Sequence, residues 1–385
     1  MAAPALPAPT LLDRVERALD EYRAPVFEEL HRIVPAESPL RDALYEPIRR
    51  YALRPGKGLR PAICLATCRA LGGSFEAALP TASVLELFHN AFLIHDDVED
   101  GSQQRRGGPA FSNLYGAAAA INAGDAMLAL ALRPLLDNTQ TVGLGKALRV
   151  LEEIAAMARE TAEGQAIELD WIQRGISSPS EREYVDLVER KTASYSFVAP
   201  VTLGAIIAGA TDDCLACLRR FARALGVAFQ IRDDVLALEP GNHRWGKDEV
   251  DDLWEGKRTL VLSHAMASAS DEARQKARAI LDRRRPTAEH ALLLERFDEL
   301  QRSGELSVSG RARLDDELRV RSKADVDFLL SLIEDAGSLR HASDVAERFA
   351  VEASDAIGAA TAWLAPSTHL DFLHDLIAYV RARDR

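Results

Sequence analysis

A chain of 385 residues, 47% of them hydrophobic, is long enough for one large core or two ordinary ones. The formal net charge of −12 argues against a nucleic-acid binder, which would carry a basic surface, but leaves room for a local basic pocket that takes an anion. Four cysteines, Cys64, Cys68, Cys214 and Cys217, lie in apolar runs with no second C-x-x-C or nearby His to complete a zinc set, so buried thiols are expected.

The start, "MAAPALPAPT", lacks a basic stretch followed by a long apolar run, and 1–10 reads as a short disordered tail rather than a leader. From there the periodicity is helical nearly throughout, and β-branched alternation is scarce. Residues 11–33 are amphipathic, with a break expected at Pro25. Residues 59–73 end in Gly-Gly, a helix stop, and 79–100 form one long helix with an almost wholly apolar body, which belongs inside a bundle. Further helices are expected over 117–136, 144–172, 180–209 and 212–238, then a polar loop from Glu239 to Glu255, then 257–269 and a charged helical remainder. The Gly/Ser-rich run 303–317 is expected as a flexible insertion. No uninterrupted apolar run long enough for a membrane span is evident. The expectation is a single all-α domain over 11–385.

The segment "LIHDDVEDGSQQRRG" raises the chemical question. In a helix Asp96 and Asp100 lie one turn apart on one face, with Asp97 beside them, and like charges so close need something positive between them. Mg²⁺ is the natural partner, because it takes carboxylates together with substrate phosphates. A second pair, Asp233 and Asp234, repeats the apolar-x-Asp-Asp-Val pattern, and two such helices facing each other would put ligands on both walls of a bundle cavity. Lys57 and Arg60 in "RPGKGLRP", then Arg105, Arg106, Lys191, Lys247 and Lys257, supply phosphate-binding cations. His89 lies seven residues before Asp96, nearly on its face. No phosphate-binding G-x-x-x-x-G-K-[ST] loop or G-x-S-x-G elbow competes.

"GKGLRP", "HNAFLIHDDVEDGSQQRRG", "NAGDAMLALA", "ERKTASYSF" and "FQIRDDVLALE…GKDEVDDLWEGKRTL" occur in that order and resemble the trans-isoprenyl diphosphate synthases, or polyprenyl synthetases. The resemblance implies the class I terpenoid-synthase helical bundle with a central cavity, usually a cytoplasmic homodimer. It implies condensation of isopentenyl diphosphate with an allylic diphosphate (dimethylallyl, geranyl or farnesyl). Three Mg²⁺ ions per site are implied, for which Mn²⁺ can substitute. It carries metal binding to Asp96, Asp97, Asp100, Asp233 and Asp234. It carries isopentenyl diphosphate binding to Lys57, Arg60, His89 and Arg106, and allylic diphosphate binding to Arg105, Lys191, Thr192, Gln230, Lys247 and Lys257. The chain departs from the family pattern at Ala237, which ends the second motif where an Asp is common, and around 286–319, which matches no recognised motif.

Product length is expected to depend on Phe88, Ala91 and Phe92 before the first motif, with Phe88 as the floor of the cavity and a C20 product, or else C15. A terpene cyclase on the same scaffold and a non-catalytic partner subunit remain as alternatives. The isopentenyl-pocket residues argue against the first and the complete first motif against the second.

Overall fold

The computed structural model describes residues 10–54, 56–238 and 250–382. Residues 1–9 of the expected tail 1–10, and Lys247, lie outside the described residues, whereas Thr10 caps the first helix. The chain begins with Leu11–Ile33 (α1), a π-helical turn at Arg41–Tyr45, Glu46–Ala52 (α2), Leu59–Ala70 (α3) and Phe75–Glu99 (α4). A two-stranded ribbon, Gln104–Arg105 (β1) against Gly108–Pro109 (β2), precedes Phe111–Tyr115 (α5), Ala117–Thr141 (α6) and Leu144–Gln173 (α7). Glu181–Val188 (α8) runs through a π-helical stretch, Glu189–Val198, into Ala199–Ala208 (α9), followed by Asp212–Leu236 (α10). Asp251–Glu255 (α11), Leu260–Ser268 (α12), Asp271–Leu281 (α13), Ala288–Arg302 (α14) and Val308–Leu318 (α15) come next. Lys323–Asp335 (α16), Ser338–Ala359 (α17) and Thr368–Arg381 (α18) complete an all-α bundle.

Two packings hold the centre. α4 lies between α3 and α6, and α10 lies against α17 and the π-helical stretch. Apolar side chains all around α4 explain its position: Leu85 and Leu87 face the cluster of α3, α9 and α10, while Ala91 and Ile94 face Ala120, Ala123 and Met127 of α6. The glycines that the sequence leaves inside helices permit close approach. A Cβ on Gly164 of α7 would meet the backbone of Lys191, and one on Gly226 of α10 would meet Ala193 at 2.6 Å, so both helices press on the stretch that carries Lys191.

The structure corrects several expectations. Pro25 does not break α1, because buried Tyr22, Val26 and Leu30 hold both halves of the helix to one core and outweigh one lost hydrogen bond. The run 303–317 is a turn and a helix: Gly304, at φ 81°, turns the chain, and Ser307 caps α15. The cysteines are free thiols, with Cys64, Cys68 and Cys214 buried and Cys217 half-buried. Two helices, α4 and α6, are long and apolar enough by length and composition to cross a membrane. The apolar window of α4 is 72% buried and is core, whereas that of α6 is 39% buried and leaves Ile121, Leu132 and Leu136 exposed.

Candidate active site

The C-terminal end of α4, the ribbon, the π-helical stretch, α10 and α11 surround a cavity of about 580 Å³, a size that suits a small-molecule ligand. It brings together Arg60, His89, Asp96, Arg105, Arg106, Lys191, Thr192, Gln230, Asp233, Asp234 and Lys257. Lys57, Asp97 and Asp100 stand outside its immediate lining, as do Phe88, Ala91 and Phe92.

Helix geometry divides the first motif. Neighbouring residues point about 100° apart, whereas residues four apart share a face. Asp96 therefore faces the cavity, where Lys191 Nζ lies 3.1 Å from its carboxylate. Asp97 points the other way and is fully buried, held by Arg105 Nε at 2.7 Å and Nη2, and by the Tyr51 hydroxyl at 3.5 Å. The sequence places it among the metal ligands; here its carboxylate neutralises a buried guanidinium away from the cavity lining. The second motif divides in the same manner. Asp233 lines the cavity, while Asp234 accepts hydrogen bonds from Tyr184 Oη at 2.6 Å and Gln230 Nε2 at 2.7 Å. These bonds engage both oxygens of Asp234, which also borders the cavity.

The remaining acids are neutralised unequally. Asp96 Oδ1 has Lys191 Nζ at 3.1 Å, whereas Asp100 Oδ2 is a buried atom without a hydrogen-bond partner, with Lys257 no nearer than 3.7 Å. Burial pushes Asp100 up to about 7 despite Lys257 at 3.7 Å, and Asp96 adds to the rise. Burial would raise Asp96 as well, but Lys191, Lys257 and Arg105 hold it at about 2. Burial, then Asp252, pushes Asp234 up to about 7. Among the described residues no three His, Cys, Asp or Glu side chains form a ready-made metal cage. Carboxylates on separate helices fit an ion whose remaining ligands are water and diphosphate oxygens, the usual habit of Mg²⁺.

The cations are held in place. Arg106 and Gly107 both have positive φ, 52° and 71°, so they form the two-residue turn that a tight hairpin demands and aim two consecutive arginines at the site. Arg106 donates to Asn90 Oδ1 at 3.1 Å and lies 3.6 Å from Glu86. Arg60 donates to Tyr195 Oη at 2.9 Å and Ser196 Oγ at 2.7 Å and stacks on the Tyr195 ring. Arg60 Nε and His89 Nδ1 are buried with no hydrogen-bond partner. Burial, then Arg60 and Arg106, push His89 well below the ordinary imidazole range, so its ring is neutral and can donate one hydrogen bond. Lys57 instead meets the Tyr379 hydroxyl on α18.

Sequence reasoning did not single out Glu168, which pairs with Lys191, or Glu255, which lies 3.0 Å from Lys257. It also passed over Tyr195. Asp252 reaches the cavity, as does Ala237, where the second motif departs from the family pattern. Of the expected chain-length residues, Phe88 and Phe92 pack edge to face at 5.8 Å, and Phe92 packs on Tyr195 at 5.5 Å, behind the cavity wall. Ala91 points to the opposite cluster, toward α6, and so leaves no room on that wall.

Known proteins resemble this chain in sequence and in fold. The polyprenyl synthetase family matches residues 41–295. The chain is 33% identical over 256 residues to a geranylgeranyl diphosphate synthase of Methanosarcina mazei, a match covering 66% of this chain and 76% of the relative. It is 31% identical over 286 residues to a short chain isoprenyl diphosphate synthase of Methanothermobacter thermautotrophicus, covering 73% and 85% respectively. Among solved structures, geranylgeranyl pyrophosphate synthetase from Pyrococcus horikoshii superposes with a TM-score of 0.79 at 27% identity, covering 97% of this chain and all of that one. A polyprenyl synthase from Caulobacter crescentus, complexed with calcium and isoprenyl diphosphate, gives 0.75 at 26% identity, covering 99% and 100%.

Proposed function

This chain belongs to the polyprenyl synthetase family, and from that premise we propose that it joins isopentenyl diphosphate to an allylic diphosphate, head to tail, yielding a short-chain trans-polyprenyl diphosphate, chiefly C20. The reading rests on one arrangement: Asp96 and Asp233 come from different helices to one cavity that also holds Arg60, His89 and Arg106. A cyclase, which binds a single diphosphate, has no use for that second set of cations.

Asp96, Asp100 and Asp233 are the residues that would hold Mg²⁺ or Mn²⁺. When bound, the ion supplies Lewis-acid neutralisation of the allylic diphosphate as it leaves. Lys191 and Lys257, already fixed by Glu168 and Glu255, meet the negative charge that grows on the departing group. Arg60 Nε and His89 Nδ1 give their unused hydrogen-bonding capacity to isopentenyl diphosphate, and Arg106 adds charge. They orient its double bond toward the allylic carbon. Leu93, Phe229 and Leu236 on the lining keep water from the carbocation. The proton lost at the end goes to the departing diphosphate. A homodimer is part of the proposal, supported by exposed Leu132 and Leu136 of α6 and Leu144 and Leu148 of α7.

The test supplies labelled isopentenyl diphosphate and Mg²⁺ with C5, C10 or C15 primer and sizes the dephosphorylated products. Elongated alcohols support the proposal. Hydrocarbons formed from geranylgeranyl diphosphate alone, with no elongation, overturn it.

A further inference from the structure

The segment 286–319 is built as a helical hairpin, α14 and α15, and its two roots reach the site. They are pinned to each other by two backbone bonds, Arg284 N–H to Arg319 O at 2.7 Å and Arg321 N–H to Arg284 O at 2.8 Å. From the first root, Arg285 pairs with Asp251 at 2.6 Å and Glu255 at 3.1 Å, the first and last residues of α11. From the second, Arg321, 3% exposed, donates to the carbonyls of Trp254, Ile280 and Leu281. Gly256, at φ 74°, then turns the chain into Lys257, and any side chain there would strike the Arg321 guanidinium.

Glu255 is the shared point. One oxygen accepts from Arg285 and from Ser102 Oγ at 3.1 Å, just beyond the first Asp-rich motif, and the other faces Lys257 at 3.0 Å. Lys257 also lies 3.7 Å from both Asp100 and Asp252. Among the described residues, four largely covered acids, Asp100, Asp251, Asp252 and Glu255, thus crowd around Arg285 and Lys257. Without Arg285, the Glu255 carboxylate would draw Lys257 to itself and away from the cavity. We propose that Arg285 and Arg321, the two roots of the α14–α15 hairpin, are positioning residues that hold α11 and set Lys257 toward the diphosphate. The inference rests on the prenyl-transfer reading above.

Lys257 meets charge that develops as the diphosphate leaves, so its displacement costs the transition state more than the ground state. Arg285→Ala should lower kcat roughly ten- to a hundredfold, as expected for an ångström-scale misplacement. KM for either substrate should change by less than about threefold. Arg285→Lys, which keeps the charge, should recover most of the loss. In a Glu255→Gln background, Arg285→Ala should cost only about twofold more, because the carboxylate through which it acts is gone. A merely structural arginine would give equal losses in both backgrounds. Replacing 287–317 by a short Gly-Ser turn, with Arg285 and Arg321 kept, should leave kcat within about threefold of the parent.

The experiment is steady-state kinetics on these full-length variants beside the wild type, with folding checked by circular dichroism. An active wild type with Arg285→Ala unchanged in kcat, or additive losses in the double variant, overturns this inference alone. The same holds if hairpin removal abolishes turnover while Arg285→Ala does not. A folded wild type with no elongation activity overturns it together with the proposed function.

Discussion

Gly164 is the position where one methyl group tests how the site is built. An alanine there would set its Cβ 2.7 Å from Lys191 Cα and 2.8 Å from Lys191 Cβ, and closer still to the Lys191 nitrogen. Carbon atoms at rest lie about 3.5–4.0 Å apart, so the π-helical stretch must retreat from α7 by ~1 Å. The stretch has little freedom to retreat, because Gly226 lets α10 press on it from another side at Ala193. Overpacking of this kind costs about 1–3 kcal/mol of stability. Displacing Lys191 and Thr192 by that distance should lower turnover by roughly 10²-fold. Gly145, on the same helix, is the control: an added Cβ meets nothing within 4 Å. Gly145→Ala should be neutral or stabilising by up to ~1 kcal/mol, with kcat unchanged. Urea denaturation and steady-state kinetics on both variants make the comparison. A Gly164→Ala protein with wild-type stability and wild-type kcat would refute the claim that this contact places Lys191.

Other expectations follow from the divided motifs. Asp97→Asn removes the carboxylate nearest Arg105, leaving Asp96 at 3.6 Å, and should cost about 1–3 kcal/mol in denaturant unfolding. Asp96→Asn should lower turnover far more than stability, because its carboxylate serves the cavity; the same assays separate the two. Chelation by EDTA should abolish elongation, and added Mg²⁺ or Mn²⁺ should restore it, read by product formation. Phe88→Ala opens space behind Phe92 and should shift products to longer chains by mass spectrometry, at a stability cost of about 3–5 kcal/mol. Unchanged chain lengths would remove Phe88 as the floor.

Much of the fold was legible because helical periodicity is a local signal: the apolar body of 79–100 already requires a buried helix. The pairing of Asp96 with Asp100 was legible too, since one turn separates them. What separates Asp97 and Asp234 from the acids beside them is not in the motif itself but in the partners that hold them. Arg105 and Gln230 are near them in sequence, but Tyr51 and Tyr184 are distant. The π-helical stretch could not be read, because 189–198 keeps the composition of an ordinary helix and differs only in its hydrogen bonding. Glu255 and Arg285 were invisible for the same reason as Glu168: a lone charge in sequence says nothing of the charge it meets across the fold.

The most direct test is anomalous diffraction from crystals grown with Mn²⁺ and an allylic thiodiphosphate analogue. The account predicts manganese peaks shared by a diphosphate, with Asp96 and Asp100 on one side, Asp233 on the other, and Asp97 still on Arg105. Peaks confined to one helix, or a diphosphate bound without metal contact to either motif, would contradict it.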